Sequence, residues 1–144
     1  MAVQEEINLA TIIDLQKHPI NEDHYREKCK AELDKSGVLV LDNFLYESSI
    51  KSILSEAKKQ ENLAYYCVNE HNVYLDPFDK NLSKTHPRNK TVTSSKGCIT
   101  DDQVPKKSSL RALYNSLKFK DFLCDVLDET VLYKYDDNLS SINI

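Results

Sequence analysis

The carboxyl-terminal residues constrain the fold most, because they have strand patterns that need partners. Residues 132–135 and 139–144 each have such a pattern, and the second is followed by neither a turn nor another strand. An open β edge exposes unpaired backbone donors and acceptors, which proteins usually cover or blunt. We therefore expect the sheet to continue in other polypeptide and this chain to form only part of a binding site.

The composition predicts one folded domain with a well-solvated surface. The chain has 144 residues, of which 40% are hydrophobic and 29% are charged, and this length is enough to bury a core. Its net charge is -4, and the lysines and arginines are scattered among the acids. Because there is no basic stripe to follow a phosphate backbone, we expect no nucleic-acid partner.

The chain is predicted to be cytoplasmic. Residues 1–17 include Glu5 and Glu6 and lack the basic and apolar regions of a signal peptide. No segment is apolar enough over a sufficient length to span a membrane, so no membrane partner is expected. The four cysteines lie far apart without a C-x-x-C pair, which disfavours a zinc site or a disulfide framework and is typical of reduced thiols.

Apolar residues at helical spacing predict five helices. We expect a short helix over residues 7–13 and a longer one that begins after an Asn21 N-cap and ends at Gly37. A third helix is predicted around residues 50–57, and two consecutive helices over residues 110–117 and 119–127.

Three further segments are predicted as strands. Residues 38–41 are all apolar and half β-branched, which indicates a strand buried on both faces. Residues 63–68 and 72–76 are rich in Tyr and Val and predict a loose hairpin. The fold class is therefore α+β, with helices packed on a small mixed sheet in a single domain over residues 1–144.

Residues 77–106 have neither helical nor strand periodicity and are predicted to form a long polar loop. Loops of this length in compact domains are usually functional or disordered, and the variety of polar side chains favours a polar ligand. Arg88 is the most interesting of them, because its planar fork suits a carboxylate. An ordinary ion pair explains Arg88 equally well.

Other candidate residues have simpler interpretations that the sequence favours. Asp101 and Asp102 resemble a carboxylate pair, but adjacent side chains rarely face the same point, so a solvated or capping role is favoured. Cys98 is more typical of a small buried residue than of a nucleophile. Alternation places Ser141 and Asn143 on one strand face, which suits a ligand-lined barrel but is commoner in an ordinary half-exposed strand.

The histidines do not start an oxygen-activating iron motif. Such sites need H-x-D/E and a distant histidine, because two imidazoles and a carboxylate hold one face of the metal and leave the other open. His18, His24, His71 and His86 are followed two residues later by Ile20, Arg26, Val73 and Arg88. The glycine variant H-x-G is also absent, so we predict neither a metal ligand nor a catalytic residue in this chain.

Several segments nevertheless resemble one family, the non-haem iron, 2-oxoglutarate-dependent oxygenases that hydroxylate or halogenate free amino acids. The segments are similar to that group in the same order: GVLVLDNFL (37–45), HPRNK (86–90), SSKGCITDDQVP (94–105), SSLRALYNSLKFKDFLCDVL (108–127) and LYKYDDNLSSINI (132–144). They cover nearly the whole chain, but they correspond to the amino-terminal half of such an enzyme. The resemblance implies a fold that forms the amino-terminal part of a jelly-roll, or double-stranded β-helix, with the barrel incomplete.

The resemblance also implies roles for individual residues. Arg88 lies in the HPRN-like segment and is a candidate for binding the amino acid substrate, while Asp101, Asp102 and Gln103 are candidates for a substrate-covering loop. Ser141 and Asn143 lie on a strand expected to face the co-substrate. Fe(II) and 2-oxoglutarate are implied for the complete enzyme, and neither is expected to bind stably to this chain alone, because the family's iron ligands follow later in its sequence.

The main alternative is a non-catalytic interaction or regulatory domain that pairs through its open carboxyl-terminal strand. Such a strand can recruit a partner by β-augmentation. Either interpretation predicts self-association or a completing chain at residues 139–144, together with low stability of the isolated chain.

Overall fold

A computed structural model describes residues 8–137 and 139–144 as an α+β structure, which confirms the α+β part of the predicted fold class. Its helices are α1 (Asp23–Ser36), α2 (Glu47–Gln60), α3 (Ser109–Asn115) and α4 (Leu117–Leu127), and its strands are β1 (Tyr65–His71) and β2 (Val92–Cys98). Short 3₁₀ helices cover Leu9–Thr11, Glu61–Leu63 and Asp101–Gln103. Among the described residues, no helix combines the length and apolar character needed to cross a bilayer.

The four longer helices lie where the apolar spacing predicts them. Gly37 ends α1 in a left-handed conformation with φ 71°, and its N–H donates to the Leu33 carbonyl at 2.8 Å. The predicted Asn21 N-cap is wrong, since α1 is preceded by Glu22, which makes no side-chain capping hydrogen bond. Of the predicted first helix, Ile7 lies outside the described residues, and the remainder forms only the 3₁₀ helix Leu9–Thr11.

The hydrophobic core lies among the helices, with α4 packed against α1. Its most buried members come from the chain's first segment and from these two helices: Ile12, Ile13, Ile20, Cys29, Phe122 and Val126. Buried His18 links α1 to the segment between α1 and α2, because its ring nitrogens contact the Tyr25 hydroxyl at 2.6 Å and the Asp42 carbonyl at 3.0 Å. The core therefore stabilises the helical part of the molecule. Neither strand of the sheet contributes a residue to it.

Residues 38–41 do not form the predicted buried strand. Val38 and Val40 are exposed, whereas Leu39 and Leu41 pack against the core. These residues are in neither helix nor strand, and their side chains alternate between solvent and core. A single bridge forms just beyond this segment, between Ile13 and Leu45.

The sheet consists of two antiparallel strands, with a register that runs from Tyr65 opposite Cys98 to His71 opposite Val92. The predicted mixed sheet and the hairpin between residues 63–68 and 72–76 are therefore wrong. Asn72 accepts hydrogen bonds from the N–H groups of Tyr74 and Asp76, and this turn takes the chain away from β1. The partner of β1 comes instead from the stretch predicted as a long loop.

The carboxyl-terminal residues are not regular strands, in contrast to the prediction. The Asp137 side chain accepts from the Leu139 N–H at 2.7 Å and from the Ser140 hydroxyl at 2.6 Å, which forms a turn. Ile142 is buried, and Ile144 exchanges two backbone hydrogen bonds with Ile99, at 2.8 and 3.0 Å. Residues 139–144 therefore bond the backbone of their own chain directly beyond β2, at Ile99 and, through the Leu139 carbonyl, at Asp101.

Candidate functional site

The polar residues singled out in the sequence fall into two places. Asp101 and Ser141 come into direct contact although they are 40 residues apart in the chain, and Gln103 lies in the same 3₁₀ helix as Asp101. Arg88 lies in a separate turn, and within residues 8–137 and 139–144 no hydrogen bond or ion pair links it to Asp101. We call Asp101, Arg111 and Ser141 the Asp101 cluster.

The 3₁₀ helix Asp101–Gln103 is held by its own polar side chains. The Gln103 side chain accepts from the Thr100 N–H at 3.4 Å and donates to the Leu63 carbonyl at 2.9 Å. The Thr100 hydroxyl donates to Asp102 at 2.5 Å. Gln103 forms a capping box with Thr100, and Asp102 accepts from the Thr100 hydroxyl, so both side chains stabilise the turn.

Both carboxylate oxygens of Asp101 have a polar partner. Its Oδ1 lies 2.5 Å from Nη2 of Arg111, its Oδ2 accepts from the Ser141 hydroxyl, and its N–H donates to the Leu139 carbonyl at 3.1 Å. The Ser141 hydrogen bond, followed by the Arg111 guanidinium, holds the pKa of Asp101 below its usual range. Asp101 is therefore an ionised anchor for residues 139–144 at neutral pH.

Arg111 is the site residue that the sequence does not reveal. It lies on α3 beside the apolar stripe, where a charged residue is ordinary, and no pattern connects it with Asp101. Its Nη2 also donates to the carbonyls of Asp101 and Val104, at 2.6 and 2.9 Å. Its Nε is buried and has no hydrogen-bond partner in the described part of the chain.

Asn143 and Ser141 do not share a strand face, because neither residue lies in a strand. Asn143 accepts from the Cys98 thiol at 3.4 Å and donates to the Ser140 carbonyl at 3.1 Å. Ser141 points instead to Asp101. The two predicted co-substrate residues thus help to attach the segment to the end of β2.

Arg88 forms an exposed ion pair with Asp76 at 2.9 Å, with side chains 48% and 45% exposed. Its position depends on the next residue, Asn89, which is buried. The Asn89 amide donates to three carbonyls and accepts from the Asp79 N–H, so it fixes the turn that displays Arg88. The turn therefore holds Arg88 at the surface. There its guanidinium forms a weak ion pair with the exposed Asp76 carboxylate.

The described residues do not fit an iron site. Within them, no group of three or more His, Cys, Asp or Glu side chains is placed to hold a metal ion. His18 is committed to Tyr25 and Asp42, and Nδ1 of His86 accepts from the Arg88 N–H at 3.2 Å.

Comparison with protein-family models, curated proteins and solved structures finds no match for the chain.

Proposed function

We propose that this chain supplies the substrate-side wall of an Fe(II)/2-oxoglutarate-dependent oxygenase that acts on a free amino acid by hydroxylation or halogenation. The iron ligands would come from polypeptide outside this chain, which we call the completing polypeptide. The contact between Asp101 and Ser141 carries the proposal, because it joins two of the segments that resemble the family. Segments that build one wall of a pocket must meet in space, and these two do.

The exposed surface of the sheet supports a completing polypeptide. Tyr66 and Val68 are 63% and 68% exposed on one face of β1, and Tyr65 is similarly exposed on the other. An isolated pair of strands is only marginally stable in water, and contiguous exposed apolar surface usually marks an interaction site. Both faces of this sheet therefore suit burial against further structure.

Arg88 would bind the carboxylate of the amino acid substrate. Its ion pair with Asp76 is about half exposed, and such surface pairs contribute only about 0–1 kcal/mol. Exchange of the Asp76 carboxylate for that of a substrate would therefore cost little. The turn held by Asn89 would limit the motion of Arg88 and so orient the substrate.

The Asp101 cluster would keep the wall in place rather than take part in bond breaking. Bound iron and 2-oxoglutarate would supply the oxidation of the C–H bond. This chain's residues would bind and orient the amino acid, with Asp101, Asp102 and Gln103 forming a turn at the edge of the pocket. Asp101 is ionised and already paired, so it suits a structural role better than proton transfer.

Complementation tests this proposal. The chain is mixed with the recombinant barrel half of a free-amino-acid oxygenase, together with Fe(II), 2-oxoglutarate and a panel of free amino acids. We expect the mixture to form succinate only when one particular amino acid is present. Neither half alone should form succinate with that amino acid. Arg88→Ala should raise the KM for that amino acid, whereas Lys90→Ala, an exposed cation two residues away, should not.

Absence of amino-acid-dependent succinate formation in a mixture shown to form a complex would overturn the proposal. The alternative of an interaction domain is favoured by the two-stranded sheet, because within residues 8–137 and 139–144 no third strand covers its outer edges. A stable homodimer in light scattering, combined with no turnover in the mixture, would support that alternative.

A further inference from the structure

We infer that the outer edge of β2 receives an extended segment of the completing polypeptide as a third, antiparallel strand. The outer edge is defined as the backbone N–H and C=O groups of Thr93, Ser95 and Gly97. The identity of the occupant rests on the proposed function, whereas the location of the edge rests on the backbone hydrogen bonds of this chain.

The direction of these groups follows from Ile99, the residue after β2. Its N–H and C=O both bond Ile144, on the side away from β1. Successive residues of an extended strand point their backbone groups to opposite edges. Gly97, Ser95 and Thr93 therefore point outward like Ile99, while the alternate residues of β2 point towards β1.

The exchange between Ile99 and Ile144 already has the form of an antiparallel hydrogen-bonded pair. Residues 139–144 first contact Asp101, whose N–H donates to the Leu139 carbonyl. They then run alongside the chain to Ile144, which lies opposite Ile99. A strand that follows the same line passes Gly97, Ser95 and Thr93 in turn. The Asp101 cluster therefore holds the existing pair at one end of the outer edge.

The outer edge has the chemistry of a pairing surface rather than of a protected edge. Proteins blunt exposed edges with proline, bulges or several charges. β2 has the sequence VTSSKGC, in which Lys96 is the only charged residue and no proline occurs. Outside the pairing with β1, no backbone hydrogen bond of the described chain reaches Thr93, Ser95 or Gly97.

A second copy of this chain fits the edge less well than a separate strand. A two-fold pairing of two β2 strands centred on Ser95 would place Thr91 of the second copy opposite Ile99. That position is taken by Ile144. A strand that begins beside Ile144 avoids this overlap, and it adds main-chain hydrogen bonds without requiring particular side chains.

Amide hydrogen exchange measured by NMR tests the edge. In the chain alone, the amides of Thr93, Ser95 and Gly97 should exchange faster than those of Ser94 and Lys96, which point towards β1. Addition of the recombinant barrel half should slow the three outward amides by about fivefold or more, as expected for a newly formed backbone hydrogen bond.

Variants at one position separate the backbone from the side chain. Ser95→Pro removes an outward N–H but leaves the hydrogen bonds to β1, so it should weaken binding of the barrel half by about fivefold or more. Ser95→Thr keeps the N–H and should bind normally. Slow exchange at Ser94 and Lys96 in both variants would show that the sheet is still folded.

The outcomes separate this inference from the proposed function. Binding of the barrel half without slower exchange at the three outward amides would overturn the edge assignment alone. Slower exchange without the visible charge-transfer band of a 2-oxoglutarate-bound iron centre would overturn the proposed function alone. Protection of the same amides in a homodimer would overturn the choice of occupant, as would failure of the barrel half to bind.

Discussion

Asp101→Asn should lower the free energy of unfolding by about 2 kcal/mol at neutral pH. Hydrogen bonds to charged groups contribute about 1.5–3 kcal/mol each, and Asp101 accepts such bonds from Arg111 and Ser141. The side chains of Asp101 and Arg111 are 14% and 22% exposed, so water screens the pair only in part. Asparagine can still bond Ser141, and Arg111 keeps two carbonyl acceptors, which limits the loss.

Urea unfolding followed by far-UV circular dichroism measures this change, and thermal unfolding should show a decrease in Tm of roughly 6–8 °C. Asp102→Asn is the matched control, because Asp102 is exposed and its carboxylate accepts from the neighbouring Thr100 hydroxyl, so its effect should stay below about 0.5 kcal/mol. If Asp101→Asn destabilised the protein no more than Asp102→Asn, the Asp101 cluster would not anchor the terminal segment.

The same substitution has a defined pH dependence. The Ser141 hydroxyl and the Arg111 guanidinium lower the folded-state pKa of Asp101, so its contribution is fully present above the unfolded-state pKa of about 3.9. The contribution is lost as the pH falls through the lower folded-state pKa. The difference in unfolding free energy between wild type and Asp101→Asn should therefore shrink below about pH 4. A difference that stays constant down to acid unfolding would contradict this assignment.

Three further substitutions test other parts of the structure. Phe122→Ala should cost about 3–5 kcal/mol in urea unfolding, because Phe122 is 1% exposed in the core between α1 and α4. Asn89→Ala should cost about 1–3 kcal/mol by leaving partly buried backbone groups without the hydrogen bonds of the Asn89 amide, and limited proteolysis should then cut residues 77–90 faster than in wild type. Gly37→Ala should cost about 1 kcal/mol in thermal unfolding, because φ is 71° there, and an unchanged Tm would refute that cost.

The predicted site residues show where inference from sequence ends. Arg88, Asp101 and Ser141 are visible as candidates because their side-chain chemistry suits polar ligands. Their partners are not visible, since Asp76 and Arg111 lie 12 and 10 residues away in irregular or helical segments. Whether a charged residue faces a ligand or an ion-pair partner depends on contacts that no local pattern records.

The sequence alone determined the positions of the four longer helices, because helical spacing is a local property. Ser116 illustrates this, because its extended backbone ends α3 and its side chain caps α4 by accepting from the Phe119 N–H. The two helices on either side of it correspond to the two predicted apolar stripes. Gly37 ends α1 for an equally local reason, its left-handed backbone.

Only the tertiary structure decided the strands and the Asp101 cluster. β2 has small polar residues with weak strand preference, and it is a strand because β1 pairs with it across the intervening turns. Gly97 leaves room there for the Tyr66 ring, since a Cβ atom would lie 2.6 Å from Tyr66 Cε1. Pairing between distant segments depends on the complete fold, so neither the β1–β2 register nor the contact between Asp101 and Ser141 follows from local sequence.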